Sequence, residues 1–161
     1  MKRSKNLIIL AAICLVCVIG MVLALTLGQK TVVNFEPPPF DSGAVTGTPS
    51  DVVDETYGEV DAKAYKLSIS GKPTVKDGAA FLWLTNPESN QVWIKVRILD
   101  TTGKMLGESG LLRPGEYVQS VVLTTPPLAE VNTTLLIMAY EPDTYHSMGN
   151  VRLQTSLTIE K

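Results

Sequence analysis

His146 is the single histidine of this 161-residue chain, and it lies in the segment Glu141–Asn150. A serine hydrolase needs such an imidazole beside an activated serine and a carboxylate. No Gly-x-Ser-x-Gly elbow occurs. Zinc needs three or four nitrogen or sulfur ligands, and one histidine cannot supply them. The two cysteines form a C-x-x-C pair, Cys14 and Cys17, inside an uncharged apolar run. A thiolate at bilayer depth is costly, so they read as small apolar residues and not as a redox or metal pair. Asp51, Asp54 and Glu55 lack the spaced oxygens and central glycine of a calcium loop. The remaining acids are ordinary in number, with nothing to mark a glycosidic pair. Asn132-Thr133-Thr134 matches the glycosylation sequon, a pattern common by chance. The sequence therefore offers no catalytic, cofactor-binding or metal-ligating residues, and it points away from an enzyme.

The residues left for recognition are aromatic and cationic. Trp93 and Arg97 lie on the polar side of an alternating strand, the composition of an interface hot spot. Tyr145 and His146 belong to a long loop, where sandwich domains commonly bind. Phe35 and Phe40 flank Pro37-Pro38-Pro39, so a preformed polyproline turn would present two aromatics to a partner's groove. Trp83, in an apolar strand, is assigned to the core.

The elements that must position these residues are strands. Tyr65, Leu67 and Ile69 alternate with polar residues, as do Val92, Ile94, Val96 and Ile98. Ala79–Thr85 and Thr133–Tyr140 are apolar on both faces and are expected to be buried on both. Further strands are expected at Met105–Glu108, Tyr117–Leu123 and from Val151 onward. Asp100–Lys104 and Arg113–Glu116 carry the glycine and proline of turns. No helical stripe follows residue 30. The prediction for 62–161 is an all-β domain, an Ig-like antiparallel β-sandwich of about seven strands. It has no cysteine, so packing alone must hold it. Residues 65–161 hold nine basic and nine acidic residues, which removes the electrostatic signature of nucleic-acid binding.

Residues 1–6 are a basic start with Lys2, Arg3 and Lys5. Leu7–Leu27 is a run of 21 residues without charge, about 31 Å as a helix at roughly 1.5 Å per residue. It is too long for an ordinary signal core and lacks a clean A-x-A exit, so a retained transmembrane helix is expected. The positive-inside rule places the N-terminus in the cytoplasm and the rest outside. Residues 28–61 read as a flexible Pro-rich acidic linker; over 28–64 seven acids face two bases.

The layout resembles small signal-anchored surface proteins of Gram-positive bacteria: a basic start, one helix, a PPPF-containing spacer and a single Ig- or fibronectin-like sandwich. Leu84-Thr85-Asn86-Pro87, Leu112–Val118 and Ala139-Tyr140 are similar to recurring strand–turn pieces of such domains. The resemblance implies an exported, non-enzymatic binding or scaffolding protein, and it supplies no functional residue. The expected function is a protein-interaction or scaffold module of a surface or secretion assembly. It would be held at the cell membrane through Leu7–Leu27, with a protein partner at the outer membrane face or cell wall. A carbohydrate or cell-wall binding module is the alternative; a secreted enzyme is a distant third.

Overall fold

The computed structural model of the chain describes residues 15–21, 35–52 and 55–160. It divides into two compact units, Met1–Glu36 and Pro37–Lys161. In the first, residues 15–21 are helical. The expected membrane helix Leu7–Leu27 otherwise lies outside the described residues, and among these no helix is long and apolar enough to cross a membrane.

The second unit is all β. Its strands are β1 (Val45–Thr46), β2 (Tyr57–Asp61), β3 (Lys66–Ser70), β4 (Thr74–Lys76), β5 (Ala79–Asn86), β6 (Trp93–Asp100), β7 (Met105–Glu108), β8 (Glu116–Val122), β9 (Val131–Tyr140) and β10 (Ser147–Ile159). Strand β5 centres one layer, with β8 and then β1 on one side. On its other side β4 pairs with its start, and β3, followed by β2, with its end. The second layer runs β10-β9-β6-β7. The tail of β10 then pairs in parallel with β4, Thr158 with Thr74 and Ile159 with Val75. The two layers are thereby joined along one edge into a curled, sandwich-like sheet.

Alternation builds the core. Leu67, Ile69, Ala80, Leu82, Leu84 and Val118 of the first layer join Ile94, Val96, Ile98, Leu135, Ile137 and Leu157 of the second in one buried cluster. Each such aliphatic side chain contributes about 1.5–3 kcal/mol of transfer free energy. Asn86 is fully buried at the end of β5, where its amide donates to Val92 O and Leu112 O at 2.9 and 3.0 Å. Those bonds fix the Asn86–Asn90 turn from inside the core.

Three expectations change. The β domain has ten strands where about seven were expected, because short pieces pair. Strand β4 is not among the expected strands. It pairs with β5 through a two-residue turn whose Asp77 and Gly78 both have positive φ, 49° and 79°. The domain also begins before residue 62. Much of the supposed linker is folded: Asp41 N donates to Leu111 O and Leu111 N to Pro39 O, both at 2.9 Å, while β2 pairs with β3 over five residues. The acids that suggested a solvated chain are used locally, Asp41 accepting from Gly43 N and Gly110 N. Finally, β5 and β9 are buried on one face only. Phe81, Trp83, Leu136, Met138 and Tyr140 lie half-exposed on the outer faces.

Candidate binding surfaces

The outer face of the β6-containing layer carries most of the predicted site residues. Cross-strand pairing sets Trp93 against Tyr140, Lys95 against Met138 and Arg97 against Leu136, with Arg152 of β10 on the far side of Leu136. These residues alternate with the buried Ile94, Val96, Leu135 and Ile137, so the pleat turns them outward. Leu136 and Met138 thus form an apolar strip between cationic flanks.

Trp93 is half-buried at one end of this face, which modifies the expectation of a freely exposed indole. Phe40 meets it edge-on with ring centroids 4.8 Å apart, and Tyr145 does so at 5.3 Å. The Arg113 guanidinium lies 3.6 Å over the Phe40 ring. Two segments remote in sequence therefore converge on one indole, and a third, through Arg113, covers Phe40. Phe40 reaches it because residues 39–41 run beside Gly110-Leu111, bridged in parallel from Phe40 to Leu111. Gly110 is required for that approach, since a Cβ there would overlap the Asp41 backbone. Tyr145 is aimed by a tight loop in which Tyr145 N donates to Glu141 O and Glu141 N to His146 O.

Arg97 donates to Glu108 at 2.8 Å, and Lys95 pairs with the same carboxylate oxygen at 3.0 Å. The Lys95 side chain is only 5% exposed, so Glu108 is its necessary counter-ion. Burial pushes the Glu108 carboxyl up, but hydrogen bonds from Arg97 and Lys95 and their charges outweigh it and hold it below its ordinary value. His146 is largely exposed, its Nδ1 3.6 Å from Glu141 Oε2. Phe35 belongs to the first unit and is exposed. The structure therefore brings Phe40, Trp93 and Tyr145 together, sets Arg97 farther along the same face, and leaves His146 on the outside of the Tyr145 loop. Phe35 and Phe40 fall in different units.

The other layer has a surface that the sequence did not reveal. Trp83, expected in the core, is turned outward. Phe81 pairs with Ser120 and Leu84 with Val118, so Leu82 and Trp83 face Gln119 alone in a β-bulge. Trp83 takes φ 52°, a left-handed conformation that for a bulky residue costs about 1–3 kcal/mol. Its ring stacks on Tyr117 at 6.2 Å and 26°. Beside it is an open trough of about 660 Å³, floored by Phe81 and Trp83. The run AAFLWLT is apolar up to its last residue, Thr85, so nothing within Ala79–Leu84 shows which face is solvated, and the bulge has no period. Among the described residues no group of acids, histidines or cysteines is arranged to hold a metal.

No known protein family matches the sequence, and no curated protein does. Among solved structures, CopC from Methylosinus trichosporium OB3b is a neighbour at a TM-score of 0.37 and 19% identity, over 65% of this chain and 96% of that one. A likeness that low carries no functional inference.

Proposed function

We propose that the protein is a membrane-tethered, extracytoplasmic interaction module without catalytic activity. Its immunoglobulin-like sandwich would bind a protein partner in a surface or secretion assembly through the outer face of β6, β9 and β10. The tether in this reading is Leu7–Leu27, with its basic flank inside. The observation that carries the reading is the Phe40–Trp93–Tyr145 cluster with Arg113. It holds a tryptophan rigid at the end of an apolar strip flanked by arginines, so little side-chain entropy remains to be lost on binding.

Affinity capture of the full-length chain from crosslinked intact membranes tests it. Wild-type protein is expected to recover the same partner repeatedly, and Leu136→Asp to lose it while keeping its fold. Absence of any recurrent partner, or recovery unaffected by Leu136→Asp, contradicts the reading. Protease added outside intact cells is expected to remove the β domain; protection of that domain contradicts the orientation.

A further inference from the structure

We propose that the trough over Phe81 and Trp83 binds an extended, uncharged saccharide chain. The site lies on the layer opposite the face assigned to a protein partner, and it goes beyond that assignment. At about 660 Å³ it has the size of a small-ligand site.

The floor is aromatic, and aromatic faces suit the apolar C–H faces of pyranose rings through dispersion contact. Trp83 lines the trough, and its ring is stacked on Tyr117. The ring is therefore held in place before a ligand arrives. The bulge that turns Trp83 outward leaves its backbone at φ 52°.

The rim suits hydroxyl groups. Thr74 pairs with Phe81 across the strands and lines the trough with it, as does exposed Gln119. Lys76 and Glu160 are 3.1 Å apart, each fixing the other as a donor and an acceptor without net charge. Two lysines and three carboxylates line the trough in all, so neither a strong anion nor a strong cation is favoured. Over Ala79–Phe81 β5 is already paired on both sides, with β8 and with β4, so an extended peptide cannot add as a strand along that stretch. Recognition must come from side chains, and these offer stacking and hydroxyl contacts.

Isothermal titration of the full-length chain in detergent micelles with chitohexaose and with cellohexaose tests the site, with polygalacturonate as the charged control. Saturable binding of at least one neutral hexasaccharide is expected. Trp83→Ala and Phe81→Ala are each expected to weaken it on the order of tenfold, about 1.4 kcal/mol. Near-UV circular dichroism checks that each variant keeps its fold, and two variants guard against the loss of one. No saturable binding of either hexasaccharide overturns the proposal. So does binding that survives both substitutions, or binding of polygalacturonate alone.

Discussion

The two tryptophans sit in opposite layers and are supported in opposite ways. Trp93 is met edge-on by Phe40 and Tyr145, with Arg113 over Phe40, so two separate segments depend on it directly. Trp83 is backed by one partner, Tyr117, and otherwise borders an open trough in a conformation that costs energy. Both arrangements carry a left-handed aromatic residue, Tyr145 at φ 58° in the first and Trp83 itself in the second, but the first ties distant segments together. An aromatic that joins segments and an aromatic that waits for a ligand can look alike in sequence, and the difference lies in how many chain segments lose a partner when the ring is removed.

That contrast makes its largest prediction for stability. Trp93→Ala is expected to cost about 3 kcal/mol, lowering Tm by about 10–20 °C, because the rings of Phe40 and Tyr145 lose their common partner. Trp83→Ala is expected to stay within about 1 kcal/mol, since lost stacking is offset by smaller backbone strain. Thermal unfolding of the two variants under one condition decides the matter; equal losses would erase the distinction.

Gly110→Ala is expected next, at about 2 kcal/mol, because the added methyl must displace the Asp41 backbone. Its signature is local: hydrogen exchange should rise over residues 40–46 and at Leu111 while β4 and β5 stay protected. Uniform exchange would mean that residues 39–41 are not a separate latch.

Glu108→Gln removes the counter-ion of a buried lysine and is expected to cost about 1–2 kcal/mol, reduced because Glu108 itself is one-third exposed. The folded carboxyl is depressed relative to the unfolded one. Its stabilisation is therefore complete above the ordinary carboxylate value, about 4.3, and is lost as pH falls through the lower folded value. The gap in Tm between wild type and variant should accordingly close on acidification below that range. A gap independent of pH contradicts the ion-pair account. His146→Ala is the smallest case. With the side chain 80% exposed, a change within about 0.5 kcal/mol is expected, and a larger loss would give the Glu141 contact a structural weight it lacks here.

Much of the fold was legible where polar residues mark one face. In β6 the buried Ile94, Val96 and Ile98, with Val92 just before the strand, could be read directly, because Lys95 and Arg97 interrupt them. The same held for Tyr65, Leu67 and Ile69. It failed where apolar residues run together: in Ala79–Leu84 of β5 and Leu135–Tyr140 of β9 nothing in the composition says that one face stays open. It failed also for residues 37–61. Prolines and acids there have the composition of a solvated chain, yet Asp41 serves as an acceptor for the backbone of Gly110, 69 residues away. Such a contact depends on a single carboxylate and a single glycine and leaves no periodic trace. Of the candidate site, Trp93 and Arg97 were legible from their place on one strand, and Phe40 and Tyr145 only as separate aromatics. The convergence of Phe40 and Tyr145 on Trp93 is a property of the tertiary fold.

A photoreactive amino acid placed at Met138, on the outer face between Lys95 and Asn150, and separately at Val122, on the opposite layer and 78% exposed, puts the contact face to the test in full-length protein within intact membranes. Irradiation is predicted to give one recurrent protein adduct from position 138 and none of the same mass from position 122. No protein adduct at 138, or the same adduct from both positions, would contradict the account.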